Sequence, residues 1–211
     1  MTNMERSYDI TLESLGEALA LKDQETAAHC KRVTAFAIAI ARAIGLPADQ
    51  IRMLARGAYL HDIGKISIPD SIFRKPGPLT PDEWVIMREH CYHGYEICKK
   101  IPFRTEVADL VYSHHERFDG TGYPRGLKGD ELPVAARIIA VANTLDAMTS
   151  DRPYRAAQSL EATKEEITRW SGRQFDPEIV RIFLSMPDNI WEDLRKETIR
   201  EFYTVRLPRG L

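Results

Sequence analysis

The chain has 211 residues, of which 44% are hydrophobic and 28% charged, and its formal net charge is −2. This length fits one domain with at most a short appendage, and it allows a core that needs no disulfide. The small net charge and a pI of about 6.3 argue against a polymeric nucleic-acid partner, which would favour a basic face. Three cysteines without a CxxC pair argue against a thiolate zinc motif and favour a reducing compartment.

The first nine residues are polar and contain no apolar core of a signal peptide. The longest apolar stretch, 35–41, is far too short to cross a bilayer. We therefore expect a soluble, cytoplasmic protein with no membrane partner.

Apolar residues recur at helical spacing along most of the chain. A first helix at 11–20 carries Leu12, Leu15 and Leu19 on one face, which packs either on the rest of the molecule or on a second subunit. A second helix runs from 24 to 44 and a third from 49 to about 62–64. After a proline-rich loop at 69–78 with one short helical turn, Thr80 caps a helix that carries His90. Further helices are predicted at about 104–115, 133–148, 160–170, 176–186 and 191–200, so the predicted class is all-α.

All six histidines lie between His29 and His115. Glu25 and His29 are four residues apart on one helix face, where they could reach one metal or two neighbouring metals. A solvated glutamate beside a surface histidine is the alternative. A mixture of imidazoles and carboxylates suits divalent first-row metals.

The adjacent pair His61-Asp62 is a stronger signal. Neighbouring residues on a helix point about 100° apart, so both can bind metal only near a helix end, which Gly64 is expected to supply. An aspartate that bridges two metals would satisfy this geometry, and a surface pair at a helix end is the alternative. Lys65 beside a metal site indicates an anionic substrate.

Two further histidine pairs follow. His90 and His93 are three apart, and their spacing leaves open which of them is a ligand. His114 and His115 end a helix just before the loop 116–133, which contains four glycines. Two adjacent buried imidazoles are costly to desolvate, so this pair favours a metal over a hydrogen-bonded histidine pair.

Cationic and acidic residues occur near the apolar helix 133–148. Arg152 and Arg155 follow it, and guanidinium groups match phosphate oxygens, although an exposed arginine pair is an ordinary alternative. Asp146 lies on this helix, where an unpaired carboxylate would be costly, so we expect it to pair with a lysine or arginine of the site.

Together these residues resemble the HD-GYP family, the metal-dependent phosphodiesterases of cyclic di-GMP within the HD superfamily. The resemblance covers roughly 12–183 and rests on HDIGKI at 61–66, KPGPLT at 75–80, Met87 with His90 and Gly94, HHER at 114–117, DGTGYP at 119–124, AMTSDRPYR at 147–155 and FDP at 175–177. It implies an all-α, HD-type helical bundle with a glycine-rich loop beside a central multi-metal site. We predict an N-terminal helical extension at 1–23, the catalytic domain at 24–187, and a C-terminal helix and tail at 188–211.

The resemblance also implies the metal ligands. Two or three divalent ions are expected, iron or manganese by the donor set, and Glu25 favours three. The implied ligands are Glu25, His29, His61, Asp62, His90, His114 and His115. This set takes His90 rather than His93.

Lys65 and Asp62 are the implied catalytic residues, and Lys65 would contact a phosphate and help to protonate the leaving oxygen. The implied substrate-binding residues are Lys65, Tyr123, Asp146, Arg152 and Arg155. The loop Gly122-Tyr123-Pro124 would shape the substrate side and contact a diguanylate cyclase partner. A homodimer is the other predicted assembly.

One position departs from the family pattern. Where the family has Ala-Asp-x-x-Asp-Ala, with the first aspartate a metal ligand, this chain has Asn143 in ANTLDA at 142–147. An asparagine oxygen is neutral and binds a hard cation more weakly, so Asn143 is a weakened eighth ligand.

Three functions are therefore compared. The main prediction is hydrolysis of the 3′–5′ phosphodiester of cyclic di-GMP to pGpG by metal-activated water, with further cleavage to GMP as an alternative end point. A second is a cyclic di-GMP receptor or cyclase-docking module whose catalysis Asn143 has weakened. A third is an HD hydrolase of another nucleotide, such as cyclic GMP-AMP, although the Gly-Tyr-Pro loop and the arginine pair favour a cyclic dinucleotide.

Overall fold

The computed structural model describes residues 3–101, 105–151 and 156–202, apart from the side chains at 3–9, 24 and 199–202. These ranges contain eleven α-helices: α1 Asn3–Lys22, α2 Gln24–Ile44, α3 Ala48–Leu60, α4 Asp70–Phe73, α5 Pro81–Arg88, α6 His90–Cys98, α7 Thr105–Ser113, α8 Val134–Thr149, α9 Leu160–Arg169, α10 Pro177–Ser185 and α11 Asn189–Phe202. Two short 3₁₀ helices, Ile63–Ser67 and Gly129–Glu131, complete the regular structure of these ranges. The described residues form no β-strand, so the all-α prediction is confirmed. None of the described helices is long and apolar enough to span a membrane.

Helix α2 passes through the main core. The Asp23 side chain accepts a hydrogen bond from the backbone of the first turn, and Gly45 ends the helix with a φ of 83°, so the predicted limits 24–44 are confirmed. Phe36 of α2 is fully buried and meets Trp191 of α11 edge to face, with ring centroids 5.8 Å apart. Ile138 of α8 belongs to the same buried cluster, so α2, α8 and α11 share one core.

Helix α1 packs over a second, smaller cluster. Leu12 and Leu19 are buried there with Leu60, Ile63 and other apolar residues. The leucine face predicted for the first helix therefore packs on the rest of the molecule.

The helix capped by Thr80 is shorter than predicted, and His90 lies outside it. The Glu89 backbone N–H donates to the Ile86 carbonyl at 3.1 Å, which closes a three-residue turn after α5 ends at Arg88. Helix α6 then begins at His90. The prediction of one continuous helix was wrong because neither proline nor glycine marks this break.

Gly64 does not end α3 as expected, since α3 stops at Leu60 and Gly64 lies inside the following 3₁₀ helix. Its role is close packing. A Cβ on Gly64 would lie 1.9 Å from the His90 carbonyl oxygen and 2.5 Å from the Gly94 nitrogen. Only glycine therefore lets the 3₁₀ helix approach α6 at backbone contact, which brings His61-Asp62 beside His90.

Candidate metal centre

Three buried histidines are held in the same way. His61, His90 and His114 each follow the last turn of a helix, α3, α5 and α7 respectively. Each ring places Nδ1 against the backbone carbonyl three residues earlier, at 2.7 Å for Ala58, 2.6 Å for Met87 and 2.6 Å for Val111. A carbonyl only accepts, so Nδ1 carries the proton in each ring and Nε2 carries a free lone pair.

The three Nε2 atoms converge on Asp62. One carboxylate oxygen, Oδ2, lies 3.5 Å from Nε2 of His61, while Oδ1 lies 3.6 Å from Nε2 of His90 and 3.9 Å from Nε2 of His114. Lys65 Nζ donates to Oδ2 at 2.7 Å. The side chain of Asp62 is 3% exposed, so a single buried carboxylate faces three imidazoles.

The protonation states suit cation binding. Burial lowers the pKa of His61 to about 4 and also lowers the pKa values of His90 and His114, so these rings are neutral near pH 7. Burial would raise the pKa of Asp62, but Lys65 and the neighbouring histidines hold it well below its ordinary value. Neutral imidazoles around an anionic carboxylate are the donor set of divalent first-row metals.

Two observations fit bound metal ions. Nε2 of His61 is buried and has no hydrogen-bond partner among the described residues. Nε2 of His90 and Nε2 of His114 lie only 3.2 Å apart, although both carry lone pairs. A cation beside these atoms would satisfy all three, whereas the bare arrangement leaves unfavourable contacts.

The potential ligands form two close groups in the described part of the chain. His90, Cys91, His114 and His115 are one, and His29, His61 and Asp62 are the other, with ligand atoms of each group within 4.8 Å of one another. The structure thus brings together six of the eight predicted ligands. Glu25 belongs to neither group, and both Glu25 and Asn143 line the adjoining cleft.

His29 is oriented by a buried ion pair. Its Nδ1 lies 2.6 Å from Oδ2 of Asp146, and Arg32 donates to both oxygens of the same carboxylate, from Nε at 2.6 Å and from Nη2 at 3.1 Å. Burial opposes ionisation of Asp146, yet the hydrogen bonds from His29 and Arg32 lower its pKa to about 2. Asp146 therefore does pair with an arginine, as expected, and it fixes the ring of a predicted ligand.

Arg32 also reaches Glu25, donating to its carboxylate at 2.8 Å. The Glu25 side chain is 65% exposed, so it lies at the rim of the cleft rather than with the buried imidazoles. The link from Glu25 through Arg32 to Asp146 was not foreseen. The available signal is the position of Arg32, three residues after His29 and seven after Glu25 on the same helix.

The glycine-rich loop packs directly on the imidazoles. His115 stacks on Tyr123 with centroids 4.9 Å apart, and the Arg88 guanidinium lies 4.8 Å from the centroid of the Tyr123 ring. A Cβ on Gly122 would lie 2.3 Å from the Arg117 nitrogen, so the loop needs glycine to approach so closely. Tyr123 is therefore part of the wall of the site.

Glu116 anchors this loop and was also missed as a functional residue. It is 3% exposed, and its carboxylate accepts backbone N–H groups from Arg125 at 2.6 Å, Gly126 at 3.2 Å and Leu127 at 3.1 Å. A buried acid directly after a histidine pair could be mistaken for a ligand. Its oxygens instead fold the loop.

An open cleft of about 1100 Å³ lies over the buried groups. Its lining includes Lys65, Trp84, Arg88, Tyr123 and Asn143. Trp84 is 46% exposed, which leaves an aromatic face open to the cleft. The size is at the upper end for small-molecule sites, which run to roughly 1,000 Å³.

His93 and the two predicted arginines lie away from the buried groups or outside the described part of the chain. His93 lies at the surface with its side chain 38% exposed, and its Nε2 is 3.7 Å from the Glu89 carboxylate. Arg152 and Arg155 lie outside the described residues.

The chain belongs to the HD domain family, whose model matches residues 13–179. It is 42% identical over 188 residues to a cyclic di-GMP phosphodiesterase of Thermotoga maritima, an alignment that covers 88% of this chain and 51% of that protein. It is 40% identical to the cyclic di-GMP phosphodiesterase response regulator RpfG of Xanthomonas campestris pv. campestris, and the alignment covers 87% of this chain and 49% of that protein. These relatives confirm the resemblance to the HD-GYP family.

A further relative is named for a different substrate. The 3′3′-cGAMP-specific phosphodiesterase 2 of Vibrio cholerae is 36% identical, with 87% of this chain and 36% of that protein covered. The chain therefore spans about half or less of the length of these relatives.

Solved structures confirm the HD-type fold. A cyclic GMP-AMP-specific phosphodiesterase of V. cholerae, V-cGAP3, matches with a TM-score of 0.62 at 20% identity, covering 81% of this chain and 48% of that one. Bd1817, an HDG"Y"P protein from Bdellovibrio bacteriovorus, matches with a TM-score of 0.62 at 21% identity, covering 85% and 63%.

Proposed function

We propose that the chain is a metal-dependent phosphodiesterase that hydrolyses cyclic di-GMP to pGpG and then GMP. The observation that carries the proposal is the convergence of three lone-pair Nε2 atoms on one buried carboxylate beside an open cleft. The relatives named as cyclic di-GMP phosphodiesterases support the substrate class.

The proposed ligands are Glu25, His29, His61, Asp62, His90, His114 and His115, with Asn143 as the weakened eighth position. Two or three ions, iron or manganese, would supply a water of lowered pKa and neutralise phosphate charge. Asp62 presents its two oxygens to different histidines, so it is the proposed bridging ligand.

The other groups of the cleft act on the substrate in this proposal. Lys65 is partly exposed and bonded to Asp62, so its ammonium group can turn toward a phosphate or donate a proton to the leaving oxygen. Trp84 is exposed and presents an aromatic face that suits a purine base. Tyr123, whose ring packs against His115 and Arg88, stays a predicted substrate contact at the wall of the cleft. Arg152 and Arg155 stay predicted phosphate contacts. Asp146 acts through His29 and Arg32 rather than by contacting the substrate.

Cyclic GMP-AMP is the second candidate substrate, because a relative at 36% identity is named for 3′3′-cGAMP. Both substrates are cyclic dinucleotides and would use the same metal centre. Parallel assays with the two nucleotides at equal concentration separate them by their ratio of kcat/KM.

The test is a turnover assay of the full chain loaded with Mn²⁺ or, without oxygen, with Fe²⁺. We expect pGpG to accumulate first. His90→Ala should lower the rate by more than the roughly 10- to 100-fold typical for losing an outer partner of a metal ligand. His93→Ala, on the same helix but at the surface, should leave it unchanged. No hydrolysis of either nucleotide by protein with measured metal content would refute the proposal.

Asn143→Asp decides whether the natural residue limits catalysis. We expect tighter metal binding and a higher rate, because a carboxylate replaces a neutral ligand. Nucleotide binding without hydrolysis in the natural chain, together with turnover in the Asn143→Asp variant, would favour the receptor or cyclase-docking alternative instead.

We further propose that residues 24–187 form the catalytic domain, between a helical extension at 1–23 and a C-terminal helix and tail at 188–211. The proposed ligands and phosphate contacts all fall inside 24–187. The diguanylate cyclase partner at Gly122-Tyr123-Pro124, the homodimer and the cytoplasmic location stay predictions.

A further inference from the structure

A thiol lies among the histidines of the proposed metal centre. Cys91 is fully buried on α6, directly after His90. Its Sγ lies 3.6 Å from Nε2 of His90, and it forms one close group of ligand atoms with His90, His114 and His115. The sequence alone indicates no role for this cysteine, because it is not part of a CxxC pair.

Two distances in this group are of the size that separates ligand atoms of one metal ion, with tetrahedral coordination as the reference. An ion with nitrogens at about 2.1 Å and a sulfur at about 2.3 Å separates two nitrogens by about 3.4 Å and nitrogen from sulfur by about 3.6 Å. The observed separations are 3.2 Å from His90 Nε2 to His114 Nε2 and 3.6 Å from His90 Nε2 to Cys91 Sγ.

A hydrogen bond alone satisfies this group less well. Nδ1 of His90 and Nδ1 of His114 both donate to carbonyls, so the two facing Nε2 atoms need a donor. The Cys91 thiol has one proton and can serve only one of them. A single cation between the three atoms satisfies all of them at once.

We propose that Cys91 is a thiolate ligand of the metal ion held by His90, His114 and His115. The inference rests on the proposed metal centre and refines it. A soft sulfur donor shifts the preference of this position toward zinc or iron and away from manganese, which favours oxygen ligands.

The test is the absorption spectrum of the full chain loaded with Co²⁺ under anaerobic conditions. We expect d–d bands of bound cobalt together with a near-ultraviolet thiolate-to-cobalt charge-transfer band. Cys91→Ala and Cys91→Ser should lose the charge-transfer band and keep the d–d bands. Cys30→Ala and Cys98→Ala, which remove the other buried thiols, should keep both.

The outcomes separate the inference from the proposed function. Bound cobalt without the charge-transfer band in the natural chain, or a band that survives in both Cys91 variants or vanishes in Cys30→Ala, overturns the thiolate assignment alone. Failure of the natural chain to bind cobalt, zinc or iron overturns the metal centre as well. Cobalt–sulfur scattering in X-ray absorption of the natural chain tests the bond without any variant, should those variants not fold.

Discussion

Arg32→Gln tests the ion pair that orients His29. The carboxylate of Asp146 is 1% exposed and has a pKa of about 2 against an ordinary 3.8. That difference of about 1.8 corresponds to about 2.5 kcal/mol of preference for the charged form. His29 supplies part of it, but loss of Arg32 also leaves a buried charge poorly paired. We expect the free energy of unfolding to fall by about 2 kcal/mol.

The assay is urea unfolding of metal-free protein, followed by circular dichroism. Arg42→Gln is the matched control, because Arg42 is exposed on the same helix, and it should change the free energy by less than about 0.5 kcal/mol. Adding Asp146→Asn to Arg32→Gln removes the stranded charge. The double variant should therefore lose less than the two single losses added together.

The loss should also depend on pH in a known direction. The folded-state pKa of Asp146 lies below the unfolded value, so its ionisation stabilises the folded chain above pH 3.8 and ceases to do so as the pH falls through 2. The difference in unfolding free energy between the natural chain and Arg32→Gln should be fully present at pH 7 and smaller at pH 3. An equal gap at both pH values, or none at pH 7, would show that Arg32 does not stabilise the Asp146 carboxylate.

Three further predictions concern packing, the loop and the metals. Leu19→Ala should lower the unfolding free energy by about 2–5 kcal/mol, because Leu19 is 1% exposed. The control Leu21→Ala, at a residue that is 90% exposed, should change it by less than about 0.5 kcal/mol. Equal losses of the two variants in urea unfolding would contradict the packing of α1. Glu116→Gln should lower the unfolding free energy by about 1–3 kcal/mol and speed proteolysis within the loop, since an amide has one acceptor oxygen for three backbone donors. An unchanged rate of loop cleavage would show that Glu116 does not anchor the loop. Mn²⁺ or Fe²⁺ at about 100 times its Kd should stabilise the fold by about 2.7 kcal/mol and raise Tm, and a chelator should reverse the rise. His90→Ala should abolish most of this rise. A Tm that no added metal changes would count against the metal centre.

The fold could be predicted where local chemistry marks the helix ends. Gly45 ends α2 in the left-handed conformation, and the Thr80 side chain with Glu83 forms the capping box that starts α5. The break at Glu89 could not be predicted, because its geometry comes from the packing of α6 against the 3₁₀ helix at Gly64 rather than from a helix-breaking residue.

For the site, the residue types were predictable but their hydrogen-bond partners were not. Adjacent pairs such as His61-Asp62 and His114-His115 identified donor groups without any contact being known. The link from His29 through Asp146 to Arg32 joins residues more than a hundred positions apart, and no short-range pattern encodes it. The same holds for Cys91, because its proposed role depends on the imidazole rings that surround it in the fold.

The carbonyl partners of His61, His90 and His114 have an evolutionary consequence. A side-chain partner can be lost by one codon change, but the carbonyls of Ala58, Met87 and Val111 persist whatever residue occupies those positions. The orientation of these three rings is therefore inherited with the helix ends themselves. Side chains around the centre can therefore change while the direction in which these imidazoles point is kept.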